Sequence, residues 1–341
     1  MESLGWGDIQ EYCSKGGQAC AQATTPPAPD KAGWLSRRGF LRTAVTAAAV
    51  VGTSSALASP ALAQQGTSGQ AGGRHRVPPD QISIQLFTLR DQLAVDLEGT
   101  LAALGAIGYT RVEHAGFVGR TVGQFKAALD AAGLRASSGH VLIPQPFDPA
   151  AWSASLADAN TLGSRYIVNP FFGIDFATGE VTRTTAAWRA FARDLNRAGR
   201  MANDAGLKLG YHNHNWEFFR LTDNPSRTAY DVLTDTTDPD LVHLELDLFW
   251  ATRGARDPVD LISEHKGRIL QYHVKDLDQA GSFADPGDGL IDFARIFRHS
   301  REAGAVEYIV ERDDAGSPPR QPEDALDTAR VGYQFLRTIR F

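Results

Sequence analysis

The stretch GYHNHNWEF at residues 210–218 sets His212 and His214 two residues apart, directly after an apolar alternation. Three later runs, LELDLFW (244–250), YHVKD (272–276) and YIVERD (308–313), again carry acid/base or ligand-type side chains next to apolar residues. Imidazoles and carboxylates in such settings do one of two things: they move protons, or they hold a cation. A single histidine of this kind is more often a hydrogen-bonded core residue. Several arriving at one place change that balance, so the decisive matter is which elements carry them.

From residue 81 onward the sequence alternates short β-rich runs with amphipathic helical runs, the pattern of βα units around a parallel sheet. Strands are predicted at 82–87, 110–114, 135–140, 165–169, 208–212, 242–247, 269–274 and 307–310. Six of the intervening helices end on glycine, at Gly108, Gly133, Gly163, Gly206, Gly267 and Gly304, the residue suited to the left-handed position after a helix. Eight such units over about 260 residues predict a single-domain (β/α)8 TIM barrel spanning residues 81–341. A doubly wound open sheet is the competing fold. It calls for a glycine-rich phosphate turn after the first strand, where LFTLRDQ stands instead.

Alternate residues of a strand face opposite sides. In LGYH, Leu209 and Tyr211 share one face and Gly210 and His212 the other. In HLELDLFW, Leu244, Leu246 and Leu248 oppose His243, Glu245 and Asp247. In LQYHVKD, Tyr272 and Val274 oppose His273 and Lys275. The apolar sets must meet helices, so the polar sets point into the barrel. The last strand is apolar on both parities and does not discriminate. Strand ends then deliver Glu113 and His114, His140, Asn169, His212 and His214, Asp247, His273 and Lys275, and Glu311 to one mouth. Burying so many ionisable groups is costly unless they neutralise one another or bind a cation. Two imidazoles and two carboxylates suit Mn²⁺, Zn²⁺, Co²⁺ or a similar divalent ion, Mg²⁺ included among the candidates.

The segment before the barrel has its own logic. SRRGFLR at 36–42 is followed by an uncharged Ala/Val/Ser/Gly-rich run and by Ala61-Leu62-Ala63, the parts of a twin-arginine export signal cleaved after residue 63. Residues 64–80 are expected to be a flexible linker, and the localisation periplasmic or otherwise exported. A membrane anchor needs about 20 apolar residues, and GTSS at 52–55 interrupts the run. Cys13 and Cys20 both lie in that leader, so the remaining chain has no thiol for a disulfide, a ligand or a nucleophile. The chain carries a net charge of −6, which argues against a nucleic-acid partner. Self-association is left open.

The pieces YHNHNWEF, LELDLFW, YHVKD and YIVERD, in this order, resemble the xylose-isomerase-like barrel superfamily, in the group called sugar phosphate isomerases/epimerases, which also contains inosose dehydratase. The resemblance covers residues 82–341. It implies a divalent metal held by a Glu on the fifth strand, an Asp on the sixth, a His on the seventh and a Glu on the eighth. Asp247, His273 and Glu311 match three of these. The fourth falls on His212, where histidine replaces the glutamate, with His214 and Glu217 as alternative places for the ion to shift.

The chemistry implied is proton removal from carbon next to a carbonyl. Glu311 is nominated as base by the family, with His214 and Glu113 as the other candidates. Lys275 would hold a substrate oxygen or assist proton transfer, unless a salt bridge to Asp276 or Glu245 occupies it. His140, Asn169, Trp216 and Glu217 are expected to bind substrate, with Trp216, Phe218 and Phe219 suited to stacking on a sugar face. Reprotonation gives an isomerase or epimerase; loss of a β-substituent gives a dehydratase or lyase on a keto-sugar, keto-glycoside or keto-cyclitol. An unphosphorylated carbohydrate is the expected partner, because the two last loops bring aspartates where a phosphate cradle would lie. A non-catalytic sugar-binding protein is the rival from another class. A trinuclear-zinc barrel nuclease would need a basic rim that this acidic chain lacks.

Overall fold

A computed structural model describes residues 75–341 of the chain, so the expected export signal and both cysteines lie outside the described residues. Eight parallel strands are present: β1 (Ile82–Ile84), β2 (Arg111–His114), β3 (Arg135–Gly139), β4 (Tyr166–Asn169), β5 (Lys208–His212), β6 (Val242–Asp247), β7 (Ile269–Val274) and β8 (Glu307–Val310). Six of them form one sheet in the order β1-β8-β7-β6-β5-β4, and β2 pairs with β3. Single parallel bridges, Gln85 to Glu113 and His140 to Val168, join the pair to the sheet on both sides and complete the ring. The fold is the expected α/β TIM barrel.

Strands β5 to β8 coincide with the sequence expectation residue for residue. The first strand is shorter than expected, because Leu86–Leu89 turns into a 3-10 helix capped by the Gln85 side chain, which accepts from Phe87 N. The six helix-ending glycines all have positive φ, between 70° and 120°. Residues 75–80 of the expected linker are not loose: His75 and Phe341 exchange backbone hydrogen bonds at 3.1 and 3.2 Å, and Val77 is buried.

The apolar core lies between the strands and the surrounding helices. The helix Thr185–Asp204 shows why: Trp188, Phe191, Ala192, Leu195, Ala198, Gly199 and Ala202 recur at helical spacing and are its buried residues. They meet Leu209 and Tyr211 on the outer face of β5 in one buried cluster, while Leu244, Leu246, Tyr272 and Val274 belong to the other. Fully burying side chains of this size stabilises the fold by roughly 1.5–3 kcal/mol each.

The inside of the barrel is polar instead. Around its lower part Ser137 Oγ donates to Glu307 Oε1 at 2.5 Å, Gln271 Nε2 donates to Glu307 Oε2 at 3.1 Å, and His243 Nε2 lies 2.9 Å from Gln271 Oε1. Burial pushes the Glu307 carboxyl up to about 7, against the opposing hydrogen bond from Ser137. Room for the His243 ring is made by Gly210, where an added Cβ would stand 2.5 Å from His243 Nε2. Gly210→Ala should therefore displace the ring from Gln271 and destabilise the protein by about 1–3 kcal/mol. A lowered urea midpoint with unchanged slope is the expected result; an unchanged midpoint would show that the interior can yield.

Candidate active site and cation centre

Asp247 ends β6 and caps the helix Leu248–Arg253: its Oδ1 accepts from Trp250 N at 2.7 Å. Its other oxygen, Oδ2, is buried without a hydrogen-bond partner and points to where β5, β7 and β8 end. His212 Nε2 lies 3.8 Å from that oxygen and Lys275 Nζ 3.2 Å. On β7 and β8, His273 Nδ1 is 2.6 Å from Glu311 Oε2, and Lys275 Nζ is 2.7 Å from the same oxygen and 2.8 Å from Asp313 Oδ1. His212, Asp247, His273 and Glu311 thus each offer a donor atom within 4.8 Å of the others. Two imidazole nitrogens and two carboxylate oxygens, buried and this close together, fit a divalent cation.

The electrostatics match that fit. Burial lowers the His212 imidazole to about 3, the nearby His273 charge adding to it. Burial alone would lower His273 too, but Glu245, Glu311 and Glu113 outweigh it and hold the ring protonated well above its ordinary range. For Glu311 burial is likewise outweighed, by Lys275 and then His273, and its carboxylate stays well below the usual range. Asp247 is pushed up to about 6 by burial, against the pull of Lys275 and His273. In this arrangement an imidazolium and an ammonium neutralise the carboxylates. A divalent ion would replace the His273 proton, since a ligating nitrogen must be unprotonated.

The remaining candidates separate into those at the mouth and those turned elsewhere. His214 lies beside the cluster, its ring 5.0 Å from His212 and stacked at 4.2 Å on Trp216. Its buried Nδ1 has no hydrogen-bond partner, and burial holds the ring neutral. His140 faces the cluster from β3, stacked at 5.2 Å on His273. Glu113 also points inward, yet it lies below the mouth and is engaged by Gln85 Nε2 at 2.8 Å, His273 Nε2 at 2.7 Å and Ser138 Oγ. A carboxylate so occupied is part of the floor, which argues against it as a base.

Several expectations are corrected. Glu217 is fully buried away from the mouth, accepting from the Tyr211 hydroxyl at 2.7 Å and from His214 N at 2.9 Å. Asn169 accepts from Ile143 N at 2.9 Å and donates to Phe171 O at 2.8 Å, tying down two loops. Trp216 donates its indole N–H to Phe172 O and is covered by His214. Phe218 packs on Tyr230 in the helix layer. His114 turns outward against Phe117 and Phe125. Lys275 pairs with neither Asp276 nor Glu245 but with Asp247, Glu311 and Asp313.

Two groups had no role in the sequence reading. Glu245 was on the inward parity of β6, and Asp313 follows Glu311 by two; that spacing was the signal for both. The aromatic wall above the site comes from two small hairpins, Ile174–Asp175 with Glu180–Val181 and Asp276–Leu277 with Phe283–Ala284. They carry Phe176, 6.1 Å from Trp216, and Phe283, 5.7 Å from Trp250.

A closed parallel barrel with its charged groups gathered at the C-terminal strand ends is the build of a barrel enzyme. The chain belongs to the xylose isomerase-like TIM barrel family, whose model matches residues 101–338. Over 153 residues it is 31% identical to an inosose dehydratase from Clostridium beijerinckii, covering 39% of this chain and 50% of that protein. The chain thus spans about half the length of the curated relatives it matches. A sugar phosphate isomerase/epimerase from Parabacteroides distasonis superposes with a TM-score of 0.63 at 25% identity, covering 80% of this chain and 96% of that one. A structure of the IOLI protein with a bound zinc atom shares the fold, with a TM-score of 0.58 at 16% identity over 76% of this chain and 98% of that one. Sugar-modifying enzymes are thus the company this chain keeps.

Glu217 gives a testable consequence. Burial raises its pKa to about 8 despite the Tyr211 hydrogen bond, so the folded state favours the protonated acid. Its stabilising contribution is complete below the ordinary carboxylate pKa and is lost as pH rises through about 8. Glu217→Gln, a neutral side chain of the same shape that can place its amide against the Tyr211 hydroxyl and its oxygen at His214 N, should gain stability relative to wild type between pH 5 and pH 8, by several kcal/mol at ~1.4 kcal/mol per pKa unit. Urea titrations at the two pH values measure it; a pH-independent difference would refute a buried neutral acid.

Proposed function

We propose that this protein is a metal-dependent sugar isomerase or epimerase that removes a proton from carbon beside a carbonyl. The observation that carries the reading is the convergence of His212, Asp247, His273 and Glu311 on one point beneath the barrel mouth. Those four would hold the divalent ion, which when bound supplies Lewis acidity to a substrate carbonyl. The zinc atom in the IOLI protein supports a cation in this fold.

The chain's own groups supply the rest. His214 is the proton acceptor we favour: neutral, at the mouth, with an unpartnered nitrogen. Glu311 is already engaged by His273 and Lys275, which makes it a weak base. Lys275 keeps its ammonium among three carboxylates, where it offers positive charge to a substrate oxygen. Phe176 and Phe283, half-buried on the two hairpins, present apolar surface for a sugar face.

We take the substrate to be unphosphorylated. In the loop after β7 the Asp276 carboxylate accepts from Leu277, Gly287, Gly289 and Ile291 N–H groups at 2.8–3.1 Å. The chain's own acid thus fills a backbone nest where a barrel enzyme could seat a phosphate. Arg312 beside it is paired with Asp285 and Asp314.

Elimination of a β-substituent is the second reading, favoured by the match to inosose dehydratase. The twin-arginine signal leads us to place the enzyme outside the cytoplasm; among the described residues no helix is long and apolar enough to cross a membrane. A mature N-terminus at Gln64 in the periplasmic fraction is the expected result, and an uncleaved cytoplasmic chain would refute it.

Asp247→Asn should lower cation affinity and reduce turnover at least 100-fold, whereas a non-catalytic binder would keep its sugar affinity. Keto-sugars incubated in D₂O with the metal-loaded protein should yield deuterated intact product for an epimerase. An unsaturated product absorbing in the ultraviolet marks a lyase. Wild-type protein that binds no Mn²⁺, Co²⁺ or Zn²⁺ overturns both.

A further inference from the structure

Resting on the reading of His212, Asp247, His273 and Glu311 as the cation site, we infer that Glu245 is its positioning residue: this carboxylate keeps the protons of both ligand histidines on the nitrogens turned away from the ion. Glu245 Oε1 lies 2.8 Å from His140 Nε2, 3.1 Å from His212 Nδ1 and 3.0 Å from His273 Nε2. An ionised carboxylate only accepts, so each of those nitrogens carries a hydrogen. The lone pair of His212 is then left on Nε2, which faces Asp247 Oδ2, and Nδ1 of His273 is the nitrogen that faces Glu311.

The local structure serves that arrangement. The pairing of β6 with β7 shifts register between Leu244 and Glu245, and an extra residue of this kind re-aims a side chain. His140 stacks on His273 and meets His212 edge-on at 5.0 Å, wedging both rings. Glu113 shares the same Nε2 of His273, at 2.7 Å, and also pairs with His140, but not with His212. Glu245 therefore bonds both ligand histidines at once.

His140, His212, Glu245 and His273 are themselves close enough to hold an ion. For both clusters to be filled, His212 and His273 would each have to lose both ring protons and bridge two cations. That would add two negative charges to an interior that already buries Glu113, Glu245, Asp247, Glu307 and Glu311. The positioning role costs no such charge.

The test uses the full chain and the variant Glu245→Met, which is close in size and removes the acceptor oxygen. Histidine ¹⁵N spectra of the ion-free proteins report tautomers, and chelator competition with Mn²⁺ or Zn²⁺ reports affinity. Wild type should show His212 protonated at Nδ1. Methionine offers no such acceptor, so nothing fixes the proton of His212 on Nδ1: His212 should lose its single tautomer and the cation Kd should rise about 10- to 100-fold, with cooperative melting retained. If that variant does not fold, Glu245→Asp keeps the charge but withdraws the oxygen, and should weaken the cation in the same direction. An unchanged tautomer set or an unchanged Kd in a folded variant overturns the inference. So do two ions per wild-type chain with one lost on substitution, which would make Glu245 a ligand. Should wild type bind no ion, the site reading fails by itself, and the tautomer comparison alone decides the role of Glu245.

Discussion

The dominant constraint in this protein is the burial of charge inside a closed ring of strands. Strand alternation sends the apolar residues of β5, β6 and β7 to the helices, and whatever lies between them must face inward. Here that means Glu113, Glu245, Asp247, Glu307 and Glu311, all buried. Unpaired, each would carry a desolvation cost of several kcal/mol. The interior is organised to avoid that. Low in the barrel the carboxyl of Glu307 is drawn towards its neutral form and bonded by Ser137 and Gln271. Higher up, imidazoles and one ammonium balance the acids.

That balance explains why the mouth is a reactive place and not merely a polar one. Lys275 cannot leave without stranding Asp247, Glu311 and Asp313, and His273 is clasped between Glu311 on one ring nitrogen and Glu113 and Glu245 on the other. Asp247 Oδ2 at the centre is paired only with the Lys275 ammonium, at 3.2 Å. A divalent ion, on the proposed function, would face that oxygen and take over the neutralising task of the His273 proton. Rigid strands hold the donors, and Glu113 and Glu245 in the tier beneath each stand opposite a register shift, with Ser137 and Leu270 as the extra residues on the neighbouring strands.

The loops set the rest of the character. Hairpins after β4 and β7 raise aromatic rings over the opening. The loop after β7 folds around its own aspartate, whose carboxylate takes up the backbone N–H groups there. On the proposed function, reprotonation and elimination would share one first step, and the choice between them would depend on what the substrate carries at the neighbouring carbon.

Alternation and turn chemistry, both local, made the barrel legible in the amino-acid sequence. Strands β5 to β7 were readable to the residue because Leu209, Leu244, Leu246 and Tyr272 alternate cleanly with polar neighbours, and the same parity placed His212, Asp247, His273 and Lys275. Glu217, Asn169 and Trp216 were misjudged because side chains at and beyond a strand end are aimed by partners that strand parity does not reveal: the Tyr211 hydroxyl, the Ile143 amide and the Phe172 carbonyl. His114 was misjudged for a related reason, since a residue beside an inward glutamate at a bulge faces the helices. Sequence alone determined which groups reach the interior, since side-chain direction along a strand is a property of neighbouring residues. Only the closed ring decided which of them touch, because distances between strands depend on register, bulges and closure, quantities no single strand contains.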